Sequence, residues 1–265
     1  MNFFSVGEVL GSSLRIWFRN LLPFTVLATL VHLPLFIYTQ VGIDLEDLNL
    51  TKLALTGSIM AIAQILLGVF LTATIIYGVV MELRGQHASF MASISVGLKR
   101  ALPALMITFL MFLVFGLIAV VLVAIGGASQ SVALVLLFAL VAGIIVLRLY
   151  CRWYVAVPAS VVERPGIMGA FSRSTTLTDG QKASIFGMIF LVAVVSFGIN
   201  KIVEMQFDSD TPSEILRNWK TQMFAQLVVD AILSPFGAIL PAVTYVALRR
   251  EKEGVVADDL AQVFE

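Results

Sequence analysis

The sequence is poor in almost everything that builds a soluble active site. It has one cysteine, Cys151, and two histidines, His32 and His87. A lone thiol excludes an internal disulfide and a multi-cysteine metal site. Neither histidine belongs to a His-Glu-x-x-His helix, and no nucleophile elbow or Walker loop occurs. Charged residues fill only 13% of the 265 positions, about half the share of a soluble domain, which is about 25%. The 17 Lys and Arg equal the 17 Asp and Glu, so no basic field speaks for nucleic acid. No catalytic residue, metal or cofactor is expected from this inventory.

Hydrocarbon takes the place of charge. The chain is 59% hydrophobic, with a mean hydropathy of +0.98, more than a soluble core of this length could hide. A helix needs about 20 apolar residues to cross the hydrocarbon. Six runs qualify, at roughly 21–41, 56–83, 102–126, 131–157, 183–205 and 222–248. The expectation is one all-α integral membrane domain over residues 1–265, with no separate soluble domain. The first run is too long for a signal-peptide core, so no cleavable leader is expected.

Orientation is read from where Lys and Arg fall. With the N-terminus inside, only Lys52, Lys201, Arg217 and Lys220 of the 17 lie outside. Both termini are therefore expected in the cytoplasm.

The segments ahead of spans one, three and five share a layout. SVGEVLGSSLRIWFRNLLP opens with Ser5 and Glu8 in capping-box spacing and sets Val6, Leu10, Leu14 and Trp17 on one face. Shifted by about 80 residues, Ser13 falls on Ser93, Arg19 on Lys99 and Pro23 on Pro103 in SFMASISVGLKRALP. The third segment, around 166–178, begins after Pro165 and ends at Asp179-Gly180, a helix start and stop. The chain thus predicts three tandem units, each an interfacial amphipathic helix followed by two spans, the apolar stripes facing the acyl boundary. Val256, Leu260 and Phe264 space out a short amphipathic tail.

This pattern resembles a bacterial membrane family that includes the membrane domain of glycerophosphoryl diester phosphodiesterases and the YciC-like inner-membrane proteins. The likeness rests on Arg152, Pro158 and Glu163 in RWYVAVPASVVE, and on Ala170, Phe171, Arg173, Ser174, Leu177 and Thr178 in AFSRSTTLTDG. SVGEVLGSSLRIWFRN and LRREKEG add to it. The resemblance implies a six-span inner-membrane fold with interfacial helices. It does not imply catalysis, because the phosphodiesterase activity belongs to a separate soluble domain.

Asp179-Gly180-x-x-Ala183 matches the start of the CDP-alcohol phosphotransferase signature, but Ser184 stands where Arg is needed and no aspartate follows until Asp208. Two groups of polar residues remain as candidates. His32, Gln64 and Asp230 lie at one depth, roughly 12–14 Å below the outer surface at ~1.5 Å per residue. A charged Asp there costs at least ~2.5 kcal/mol unless paired, so a partner is expected among His32, Gln64, Asn200 and Lys201. On the inner side Arg148, Arg152, Arg164 and Arg173 form a ring suited to anionic head groups, at about 1 kcal/mol per basic residue.

The reading is a non-enzymatic inner-membrane protein of lipid or envelope homeostasis, organising membrane lipids, anionic ones included, or a membrane-protein partner. The rival is a small transporter or channel using the polar layer around Asp230.

Overall fold

The computed structural model describes residues 4–41, 50–83, 90–207 and 212–254. Over these the chain forms α1 (Val6–Arg19), α2 (Leu21–Val41), α3 (Leu50–Leu83), α4 (Phe90–Ala128), α5 (Val132–Trp153), α6 (Ala156–Glu163), α7 (Gly166–Thr178), α8 (Lys182–Met205) and α9 (Pro212–Glu253), with no strand among the described residues. Six stretches are long and apolar enough to cross a membrane: α2, α3, α4, α5 with α6, α8 and α9. The protein is an all-α, polytopic membrane protein. The amphipathic tail around Val256, Leu260 and Phe264 lies outside the described residues.

Local chemistry sets the helix ends. The Ser5 hydroxyl accepts the Glu8 backbone N–H at 3.4 Å, which caps the start of α1. Asn20 closes it, donating its backbone N–H and its side-chain amide to the Ile16 carbonyl at 3.0 and 3.1 Å. The second amphipathic segment behaves differently. It is the opening of α4, continuous with the third span, rather than a separate helix. At the position equivalent to Asn20 stands Arg100, a helix former where Asn favours a cap, so nothing stops the helix. At ~1.5 Å per residue α4 is about 58 Å long, well beyond a hydrocarbon core of ~30 Å. The third segment is α7, which ends at Asp179 in extended backbone, with Gly180 at φ +79. Pro165 stands just ahead of α7 as its N-cap.

Helix α9 is the central post. It packs on α1, α2, α3, α6, α7 and α8, and 44% of its spanning window is buried, against 6% for α4 and for the α5–α6 stretch. Those two form a hairpin at the periphery, where lipid is the solvent. Its turn is tight, because a Cβ at Gly126 would sit 2.9 Å from the Val135 Cα. The start of α4 presses on α3 at Gly97, whose missing Cβ would fall 1.9 Å from Thr74 Oγ1. Helix α6 buries every residue from Pro158 to Val162, with the Ser160 hydroxyl satisfied by the Val157 carbonyl at 2.8 Å.

The amphipathic stripes of α1 and α7 pack mainly on protein, while the opening of α4 packs Ile94 and leaves Met91 and Leu98 exposed. Helix α1 lies along α9, with Val6, Leu10 and Trp17 of its stripe packed against the core beside the buried Val9 and Ile16. In α7, Ile167 and Phe171 pack against Ile107 of α4 and Ala156 of α6. For α1 and α7 the expectation that the stripes face the acyl boundary is corrected on this point. Helix–helix contact claims them first, and Leu14, Phe18 and Met168 are left exposed. Arg19 pairs with Glu82 at 2.8 Å, Gln181 donates to Glu251 at 3.0 Å, and Arg173 pairs with Glu253. The ends of α1, α3 and α9, the start of α8 and all of α7 thus share one end of the bundle, as six crossings require.

Candidate functional site

The structure brings most of the intramembrane polar residues into one chain across four spans. Gln64 of α3 donates its amide N–H to His32 Nδ1 at 2.7 Å. His32 Nε2 is then the protonated nitrogen, and it faces Ser234 Oγ of α9 at 3.3 Å. One turn earlier on α9 stands Asp230, close enough to His32 to interact through space. Asp230 Oδ1 accepts from Gln226 Nε2 at 3.0 Å, and the same amide donates to Asn200 Oδ1 of α8 at 2.9 Å. Asp230 therefore has a partner, but the link to Asn200 runs through Gln226, which the sequence reading did not select. Lys201 stands apart. One residue on from Asn200 it faces elsewhere, half exposed and paired with Glu204 at 2.7 Å. It is not part of the cluster.

The four arginines also separate. Arg148 and Arg152, one turn apart on α5, line a crevice of about 200 Å³ with Ile145, Leu149 and Lys182 of α8. Arg148 makes no ion pair or hydrogen bond among the described residues. Arg152 spends its Nε on Thr175 Oγ1 at 3.0 Å, and Lys182 bonds the exposed Asp179 at 2.9 Å. Arg164 closes α6 in the left-handed conformation, φ 56, where it is exposed. It interacts at a distance with Arg100 of α4, another cation.

Arg173 is committed to acids. It grips Glu163 with Nε and Nη2 at 2.7–2.9 Å and also pairs with Glu253. Hydrogen bonding to Glu253, and then to Glu163, raises its pKa above the usual arginine range. Glu163 in turn accepts from the Tyr245 hydroxyl, and Arg249 bonds Glu253 at 2.9 Å. This network ties α6, α7 and α9 together. Tyr245, Arg249 and Glu253 follow at steps of four, as do Gln226, Asp230 and Ser234. Those ladders on one face of a single helix were the signal available in the sequence.

The residues that carried the family likeness meet at the same junction. Ser174 and Thr178 both donate hydroxyls to the Arg152 carbonyl, at 3.0 and 3.1 Å, satisfying a backbone group near the end of α5. Phe171 meets Trp153 edge-on at 4.9 Å. Leu177 and Pro158 are buried. The half-polar stretch between spans four and five is a lock on the α5–α6 break. Cys151 is buried beside it.

Above this lock α5 packs on α4, α7 and α8 but stands off from α3 and α9. The gap is an apolar cleft of about 870 Å³, walled by α3, α4, α5, α6 and α9. Phe115 stacks on Trp153 at 5.9 Å and meets Tyr150 edge-on at 6.4 Å. The polar members on α3 and α4, Thr72 and Thr108, bond the carbonyls of Gly68 and Ala104 on their own helices. Among the described residues no three His, Cys, Asp or Glu gather as metal ligands. No family model, curated protein or solved structure matches the chain.

Proposed function

We propose that this is a non-enzymatic, bacterial inner-membrane protein that organises lipids, with both termini in the cytoplasm and anionic head groups held at the crevice between α5 and α8. One observation carries the reading. Arg148, Arg152 and Lys182 converge there on a wall that includes Ile145 and Leu149, beside the lipid-facing surfaces of two spans. Long basic side chains suit this position, because their stems lie on hydrocarbon while their charges reach phosphate. Kinship with the glycerophosphoryl diester phosphodiesterase membrane domain and the YciC-like proteins is part of the proposal. Its support is the residue pattern of the α5–α7 junction, together with six apolar helices. Interfacial placement of α1 and α7, with Phe18 and Met168 dipping towards lipid, belongs to the same reading.

The test is lipid retention. Purified protein exchanged with phosphatidylglycerol or phosphatidylcholine should prefer the anionic lipid by native mass spectrometry. Arg148→Gln/Lys182→Gln should weaken that preference about 30-fold, two basic residues at about 1 kcal/mol each. Arg173→Gln should leave the preference in place, since its charge is held between two partly buried carboxylates. The pair of Lys182 with the exposed Asp179, by contrast, is weak enough to give way to a phosphate. An unchanged preference in the double variant defeats the proposal.

A further inference from the structure

We propose that the cleft between α5 and the α3–α9 core holds one acyl chain of a glycerophospholipid, drawn from the leaflet on the Arg148–Arg152 side. This rests on the lipid-organising reading but concerns a different site, on the opposite face of α5 from the cationic crevice.

Three observations converge on that occupant. The first is chemistry. The lining is almost wholly apolar and aromatic, and its two threonines are satisfied by their own helices. Water finds few partners on such a wall, while hydrocarbon finds dispersion contacts throughout. The volume, about 870 Å³, lies within the range of ligand sites, about 300–1,000 Å³. The cleft is also open to its surroundings, because Phe112, Leu140 and Ile144 line it and remain 64%, 62% and 58% exposed.

The second is length. From Ala139 to Tyr150 the cleft follows α5 for about 16 Å at ~1.5 Å per residue. One leaflet's share of a ~30 Å hydrocarbon core is about 15 Å. A chain anchored at Tyr150 therefore ends near the midplane.

The third is the polar end. Tyr150, Trp153 and Tyr154 gather where α5 gives way to α6, at the level of Arg148 and Arg152. None of their O–H or N–H groups bonds another side chain or carbonyl among the described residues. Tyr154 is only 8% exposed, and it lines the cleft. Amphipathic aromatics of this kind keep a donor for a partner at the apolar–polar boundary. Ester oxygens of a glycerolipid sit at that depth and only accept.

The probe is phosphatidylcholine with dibrominated acyl chains, titrated into the detergent-purified full chain while tryptophan emission is read. Quenching should saturate near one lipid per protein, and Trp153→Phe should remove the saturable part. Gly143→Phe fills the cleft from a position where an added Cβ meets nothing within 4 Å, and should weaken saturable quenching at least tenfold. Arg148→Gln/Lys182→Gln should leave it within twofold, because the probe is zwitterionic. Quenching that rises without saturation overturns the proposal, as does a saturable part that survives Trp153→Phe. Should Gly143→Phe not fold, the comparison of wild type with Trp153→Phe decides alone. Failure of the crevice reading shows separately, as unchanged phosphatidylglycerol preference in the Arg148→Gln/Lys182→Gln protein.

Discussion

Removing the Glu163 carboxylate leaves Arg173 and the Tyr245 hydroxyl short of their shared acceptor, with Arg249 3.8 Å away. The side chains are 14–27% exposed in these pairs, so the loss is smaller than for a fully buried pair. Glu163→Gln should destabilise the protein by about 2 kcal/mol, below the ~3–5 of a deeply buried ion pair broken on one side. Tyr245→Phe, which removes one donor, should cost about 1 kcal/mol. Thermal unfolding in detergent checks both, and a Glu163→Gln protein as stable as wild type would remove the network from the fold's support. In the polar layer, Asp230→Asn keeps an acceptor for Gln226 and should unfold within a few degrees of wild type. Asp230→Leu loses that bond and should be less stable by roughly 0.6–1.7 kcal/mol. An Asp230→Asn protein that folds but loses the protein's cellular role would favour the transporter reading over a polar layer that only holds the helices together.

At the scale of elements, the junction of α3 and α4 is set by one missing side chain. Gly97→Ala puts a methyl 2.9 Å from the Thr74 Cα as well as onto its hydroxyl. Backbone cannot rotate away as a flexible side chain can, so the helices must part, at about 1–3 kcal/mol. Gly116 lies on the same helix with nothing within 4 Å of its would-be Cβ. Gly116→Ala should stabilise by about 0.5–1 kcal/mol through helix propensity. Opposite signs for the two alanine variants, read as melting shifts, are the expected result; equal signs would mean that α4 does not press on α3 at Gly97. The same contact explains why the amphipathic start of α4 is held in line with its span. Asn20 frees α1 from α2, while Arg100 continues the helix and Gly97 pins it.

For the whole molecule, the shared end of the bundle turns orientation into a single choice between two sides. In a Cys151→Ser background, Ser129→Cys in the turn between α4 and α5 and Asp179→Cys between α7 and α8 report opposite ends; both positions are exposed. Intact spheroplasts should label the first with an impermeant thiol reagent and protect the second. The reverse pattern would invert the proposed topology, and labelling of both would undo the six crossings.

The number of membrane spans and their helical character were written in the chain itself, whereas the fusion of the second amphipathic segment with its span and the break between α5 and α6 were not. Hydrophobic transfer is additive along a helix, and bilayer thickness fixes the length needed, so residues 21–41 or 183–205 announce spans without knowing their neighbours. Ser5, Asn20 and Asp179-Gly180 set helix ends by bonds and backbone geometry reaching only a few residues, and those too are local. Asp230's need for a partner followed from depth and charge. The identity of that partner did not, because Gln226 and Asn200 meet only when α8 and α9 dock. Arg148 and Arg173 look alike as basic residues near the same membrane face. Tertiary packing gives one an open crevice and the other two carboxylates, since an ion pair depends on where distant helices end rather than on composition. The cleft is the extreme case. A void has no residues of its own, and it exists only because α5 leans from α9 while α4 and α6 bridge the gap.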